Sequence, residues 1–146
     1  MKILRASKAD IDGVAELFNL YRMFYKQRSD LEGAKQFILD RFENKDSVIF
    51  LAKSEEKSVG FVQLYPMLSS VSMRRTWILN DLYVDEGARN LGVGQKLLEA
   101  SITFAEKTGA KSISLETAPS NVQAQRLYEK NNFVNDNTYL RYTLNL

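Results

Sequence analysis

Two residue types are missing altogether: the 146-residue chain has no cysteine and no histidine. Without cysteine there is no disulfide, no thiol nucleophile and no zinc–thiolate site. Without histidine, Ser-His-Asp and Cys-His catalysis fall away, together with every histidine-bearing metal motif. Only 2 prolines and 7 glycines are present, with no linker-like tract, so residues 1–146 read as one domain. No apolar run is long enough to cross a bilayer, and Met-Lys-Ile-Leu-Arg opens the chain without a secretory h-region. A cytoplasmic location without a membrane partner is therefore expected. Charge is not one-sided either: 20 Lys and Arg against 18 Asp and Glu give +2, with no basic block to argue for nucleic acid.

What is present is a globular composition, 45% hydrophobic and 26% charged. An enzyme made from it must work with carboxylates, Tyr, Lys, Arg or backbone amides, helped by a cofactor or water. No metal is expected.

Periodicity gives the order β-α-α-β-β-β-α-β-α-β. Residues 2–6 read as a short strand. Ile11, Val14, Ala15 and Phe18 then recur at helical spacing, in a helix running to about Tyr25. A second helix follows Asp30, with Leu31, Ala34, Ile38 and Phe42 on one stripe. Residues 48–52 and 59–65 read as strands around a polar turn at 54–58, and 66–74 as a loop. Residues 75–84 form the longest strand pattern. A helix marked by Val93, Leu97, Ser101, Phe104 and Ala105 ends near Gly109. A strand at 112–117, a helix over 121–131 and a last, antiparallel strand at 139–145 complete an α/β fold with a mostly antiparallel sheet.

The unit 75–84, 92–108, 112–117 is a strand–helix–strand crossover, and such units bind ligands where the first strand meets the helix. Arg89-Asn90-Leu91-Gly92-Val93-Gly94-Gln95 stands there. Glycines allow a close approach of backbone to ligand, and first-turn N–H groups lack helical partners, so the loop is a candidate anion cradle. A plain turn is the simpler reading of the same glycines. The run lacks the Gly-Lys-Ser/Thr of a Walker A loop, and a third glycine for a dinucleotide fingerprint.

Further on comes Asn121-x-x-Ala124-x-x-x-Tyr128-x-x-x-Asn132-Phe133. The pair of motifs, spanning about 78–134, resembles the GNAT superfamily of N-acetyltransferases. Its cofactor loop reads Gln/Arg-x-x-Gly-x-Gly/Ala, and its later helix Asn-x-x-Ala-x-x-x-Tyr-x-x-x-Gly-Phe. Asn132 replaces the usual Gly, and Asn is the next most tolerant residue of a left-handed helix end.

The resemblance implies acetyl-CoA as co-substrate and direct transfer to an amine in a ternary complex. Two adjacent parallel strands, 75–84 and 112–117, would splay apart to admit the pantetheine arm. Backbone groups of Leu82, Tyr83 and Val84 would bond that arm, and Asn121 would contact it. Amides at Leu91, Gly92, Val93, Gly94 and Gln95, beside Asn90, would hold the pyrophosphate, with Arg89 adding charge. Tyr128 would be the general acid for the departing thiolate, its reference pKa of about 10 suiting that task. A core aromatic is its simpler role, as a helix N-cap is that of Asn121.

Asp81 lies between apolar neighbours. Strand alternation puts it with Trp77, Leu79 and Tyr83, and Asn80 with Ile78 and Leu82, unless a bulge intervenes. A carboxylate inside needs a reason, whether a structural hydrogen bond or a catalytic role. Small-amine members of the family often carry Glu-Asp here. With Asn80-Asp81 in its place, Asp81 is left as base or amine anchor, or a water chain does the work. Tyr21-Arg22-Met23-Phe24-Tyr25 resembles the polyamine- and lysine-analogue branch. Tyr21 and Tyr25, with Asn80, would line the acceptor cleft, since aromatic faces attract ammonium groups. Dimers are common in the family, which leaves a homodimer open. An antibiotic or protein amine as acceptor, and an acyl-CoA-binding module without turnover, are the competing readings.

Overall fold

β3 (Lys57–Ser69) and β4 (Arg74–Val84) make a long antiparallel hairpin at the centre of the chain. The computed structural model describes residues 1–146, which divide into two compact units, 1–116 and 117–146.

In the first unit, β1 (Lys2–Arg5), β2 (Val48–Ser54), β3, β4 and β5 (Ile113–Ser114) lie in sequential order. All pairings are antiparallel except β4–β5, which is parallel. The parallel pair requires a crossover, and α3 (Val93–Lys107) supplies it. On one face lie α1 (Ile11–Phe24) and α2 (Leu31–Asn44). Their apolar stripes, Val14, Leu17 and Phe18 with Ala34 and Ile38, bury Ile49, Leu51 and Phe61 of the sheet. Asp30, which directly precedes α2, caps it, its carboxylate accepting from the Gly33 N–H at 2.9 Å.

α3 takes the other face, where Phe104 meets Phe50 and Trp77 at ring distances of 5.7 and 5.1 Å. Gly60 permits the close approach of its first turn. A Cβ there would stand 3.0 Å from Val93 and 3.1 Å from the Tyr83 carbonyl. The absent side chain thus draws the start of α3 against the end of β4.

Three expectations are corrected. Residues 66–69 are not loop: β3 continues through Pro66, which pairs with Trp77, and the turn is confined to 70–73. β2 pairs with β3 only as far as Leu64, so Pro66 lies where one edge of β3 is open and no donor is needed there. The strand at 112–117 shrinks to the two residues that pair with Trp77 and Ile78. Residues 139–145 form no strand, although their alternation is regular.

The second unit contains α4 (Val122–Lys130). Asn121 is its N-cap, the side-chain oxygen accepting from the Ala124 N–H at 3.2 Å. Asn132 takes φ +69°, and the Phe133 N–H returns to the Tyr128 carbonyl at 3.0 Å. This left-handed ending is the one for which Asn can stand in for Gly.

Candidate active site

A single extra residue decides which way Asp81 points. Leu64 pairs with Leu79 and Gln63 with Asp81, so Asn80 is surplus on β4 and forms a β-bulge. The bulge reverses the alternation. Trp77 and Leu79 stay with α3, while Asp81 joins Tyr83 on the α1 side. The expected grouping of Asp81 with Trp77 and Leu79 is thereby overturned, because alternation holds only where no residue is inserted. Asn80 itself is exposed.

The Asp81 carboxylate is 4% exposed and is held entirely by neutral groups. Gln63 donates Nε2–H to one oxygen at 2.7 Å, and Asn80 donates Nδ2–H to the other at 3.1 Å. The Tyr21 hydroxyl also bonds this carboxylate and lies 3.3 Å from the Asn80 carbonyl. Gln63 is fixed from behind, its Oε1 accepting from the Ser47 hydroxyl at 2.9 Å. None of the chain's ion pairs involves Asp81. Burial pushes its carboxyl above the usual carboxylate range, and the hydrogen bonds from Gln63, Tyr21 and Asn80 pull the other way. Tyr65 feels this charge. Burial first, then Asp81, push its phenol up to about 12, with Arg41 opposing and Asp46 adding.

Aromatic rings gather around Tyr21, whose hydroxyl bonds this carboxylate. Tyr21 meets Tyr25, Phe61 and Tyr83 edge-on at 5.0, 5.9 and 6.4 Å. Tyr25 is exposed, so the wall runs from the core to solvent. The α1–α2 connection that frames it is braced by buried Asn19, which accepts from the Asp30 N–H at 2.8 Å and donates to Ser29 at 3.0 Å.

β5 pairs with β4 only up to Ile78, which leaves β4 from Leu79 to Val84 with β3 alone as neighbour. Leu82, Tyr83 and Val84 lie in this stretch. Arg89 folds back over the strand end: its Nε donates to the Val84 carbonyl at 3.0 Å and its guanidinium lies 5.6 Å from the Tyr83 ring. The chain then turns through Asn90 and Gly92, both left-handed at φ +65° and +78°. Gly92 is the N-cap of α3 and brings no capping side chain, while its carbonyl already accepts from Lys96. Gly92 thus offers no capping side chain to the first turn of α3, which begins at Val93 and Gly94. The Gln95 side chain is spoken for, donating to Glu99 at 2.9 Å, and Leu91 is exposed. A helix start with a glycine at its N-cap, beside an open strand edge, fits a pyrophosphate followed by an amide-bearing arm. No group of His, Cys, Asp or Glu side chains is placed to hold a metal ion.

Asp81, Asn80, Tyr21, Tyr25 and Tyr83 are thus brought together, and Arg89 joins them through Tyr83. Asn121 and Tyr128 belong to the second unit. There Tyr128 is buried and its ring lies 5.9 Å from Phe133. Sequence reasoning missed Gln63, Ser47 and Tyr65. Gln63 had left a signal, as the lone polar residue of the apolar run Val59-Gly60-Phe61-Val62-Gln63-Leu64. Ser47 had left none.

Comparison with known proteins points the same way. The model of the acetyltransferase (GNAT) family matches residues 14–133, a span that takes in part of each unit. An uncharacterised N-acetyltransferase, YhfO, of Bacillus subtilis is 46% identical over 146 residues, covering 100% of this chain and 98% of that protein. A probable acetyltransferase of Haemophilus influenzae is 33% identical over 119 residues, 81% of this chain and 82% of its own. The crystal structure of a probable acetyltransferase superposes with a TM-score of 0.94 at 40% identity, over 100% of this chain and 98% of that one.

Proposed function

We infer an acceptor class for this enzyme, because the chain belongs to the GNAT acetyltransferase family, whose members use acetyl-CoA as co-substrate. The acceptor is a small cationic molecule with a primary amine. The observation that carries this reading is Asp81: a buried carboxylate, solvated by three neutral donors, Tyr21 among them, and paired with no cation. An uncompensated buried anion is costly, and an ammonium group is its natural complement. Tyr21 and Tyr25 add ring faces that favour the same charge.

In this reading residues 1–146 work as one acetyltransferase domain, and transfer is direct in a ternary complex. The first-turn amides of α3 and Arg89 hold the pyrophosphate, and Asn121 and the edge of Leu82–Val84 hold the pantetheine arm. A backbone N–H of that edge polarises the thioester carbonyl. Asp81 anchors the ammonium and, directly or through water, accepts the proton it must lose. The freed amine nitrogen attacks the carbonyl carbon, a C–N bond forms, the C–S bond breaks and Tyr128 gives the departing sulfur its proton; the nitrogen sheds its remaining surplus proton through water, which restores the Tyr128 hydroxyl.

The test is acetyl-CoA against a panel of polyamines, lysine analogues, aminoglycosides and peptide N-termini, monitored by thiol release over a no-amine blank. Turnover with the polyamines or lysine analogues supports the reading. Turnover confined to peptides or neutral amines removes the small-amine assignment. Acetyl-CoA binding without turnover on any acceptor removes catalysis.

A further inference from the structure

Gln63 has no task in that chemistry, yet it is fully buried on β3, directly opposite Asp81 in the ladder. A buried amide needs its hydrogen bonds met, and both ends of this one are: Nε2 donates to Asp81 at 2.7 Å and Oε1 accepts from the Ser47 hydroxyl at 2.9 Å. A carboxylate offers roughly four lone-pair sites. Gln63, Asn80 and Tyr21 donate to it, which leaves room for about one incoming N–H. Asn80 is exposed and Tyr21 half-buried, whereas Gln63 is sealed in the sheet and held from behind. Were its amide turned, Oε1 would face a carboxylate oxygen. Two acceptors at that range coexist only with a proton between them, and Asp81 would be neutral.

We propose that Gln63 is a positioning residue for acetyl transfer: backed by Ser47, its Nε2 aims the Asp81 carboxylate at the acceptor nitrogen and keeps it in the anionic form. The inference rests on Asp81 as the amine anchor. A hydroxyl donating to Oε1 polarises the amide and strengthens the bond that Nε2 gives, so Ser47 acts in the same direction as Gln63. No cation competes for this part, since Asp81 joins none of the chain's ion pairs. The titratable groups on its side are Tyr21 of α1, Tyr65 of β3 and Tyr83 of β4. Arg41 and Asp46, paired at 2.8 Å, act on Tyr65, and Arg89 lies over Tyr83. Burial opposes the charge on Asp81, and the bond from Gln63 is the foremost of those that favour it.

The experiment titrates the Asp81 carboxyl carbon by NMR in the free protein and, beside it, records the pH profile of kcat/KM with a polyamine or lysine analogue. Gln63→Met removes the donor at nearly equal length, and Ser47→Ala removes its backing. Both should move the Asp81 midpoint to higher pH, Gln63→Met further, and the acid limb of kcat/KM should move with it. A hydrogen bond to a charged group is at stake, so Gln63→Met should lose at least about tenfold in kcat/KM at about pH 6 and recover towards wild type at about pH 9. A merely structural role would lower activity at every pH. Ser47→Thr, which keeps the hydroxyl, should restore the wild-type midpoint. Circular dichroism checks folding, and should Gln63→Met unfold, Ser47→Ala and Ser47→Thr decide. Midpoints that stay in place overturn the proposal, as does a kinetic limb that stays while the midpoint moves. Absence of turnover with every cationic amine overturns the acceptor class instead, and the titration of the free protein still decides whether Gln63 holds the carboxylate ionised.

Discussion

Replacing Asp81 by Asn should separate the anchoring of the amine from everything else the site does. The side chains have nearly the same shape, and the network can absorb the change. Gln63 can turn its amide so that Oε1 accepts from the new Nδ2 and Nε2 donates to the Ser47 hydroxyl, which both gives and accepts. What disappears is the charge. Two unit charges about 4 Å apart at an effective dielectric near 20 attract by about 4 kcal/mol, or roughly 10³-fold in binding. The carboxylate is 4% exposed, so solvent screening takes little from this figure. The retained polar contact returns part of it, and kcat/KM for a polyamine should fall about 10²- to 10³-fold. Affinity for acetyl-CoA should be unchanged. The pH profile adds a second signature. A lysine-type amine with a reference pKa near 10.4 is neutral in roughly one molecule in 2,500 at pH 7, a cost of about 4–5 kcal/mol. Wild-type activity should thus climb from pH 7 towards 9. It should also fail in acid as the raised pKa of Asp81 is crossed, and the Asn variant should lack that acid limb. Steady-state kinetics with calorimetry of acetyl-CoA binding is the assay. Equal constants and superimposable profiles for the two enzymes would refute the reasoning and leave Asp81 a structural residue.

Gly92→Val should weaken acetyl-CoA binding in calorimetry. A β-branched residue at φ +78° is strained by at least about 1–2 kcal/mol, so the turn that presents the α3 amides must shift. Tyr128→Phe should keep cofactor affinity and lower kcat by about 10²–10⁴-fold, and full activity would return Tyr128 to a packing role. Ile38→Ala, at a fully buried position between α1, α2 and the sheet, should cost about 2–5 kcal/mol in chemical denaturation without changing KM in the variant that remains folded.

The elements with a strong period were legible. α1, α2, α3 and α4 stand where apolar spacing puts them, and Asn121 caps α4 as its position suggests. What was not legible depended on neighbours distant in sequence. Pro66 looks like a loop signal until β2 is seen to stop at Leu64, which turns the proline into an open-edge residue. Residues 112–117 and 139–145 carry real alternation, yet alternation states only that a strand is suitable and never that a partner is within reach. The glycine loop was readable because both its needs are local: a left-handed turn at Gly92 and a helix start directly after it.

Asp81 was legible only as a contradiction. A carboxylate among Trp77, Leu79 and Tyr83 could not be reconciled with strict alternation, and the sequence offers no mark of where an inserted residue sits. The bulge at Asn80 resolves it by moving Asp81 from the α3 side to the α1 side, where Gln63 and Tyr21 wait. That placement has a cost with a definite sign. The folded-state pKa is raised above the unfolded carboxyl value, so the ionised form is disfavoured by folding. Its contribution to stability is intact below about pH 4 and is lost as pH rises through the raised pKa. Asp81→Asn should therefore raise the melting temperature at pH 7–8 and bring no such gain near pH 3. A variant more stable than wild type at neutral pH and poorer in amine turnover would mark the carboxylate as kept for chemistry at the expense of the fold. A variant less stable at both pH values would mean that the Gln63–Asp81–Tyr21 network is there to hold the bulge, and that the amine finds its charge elsewhere.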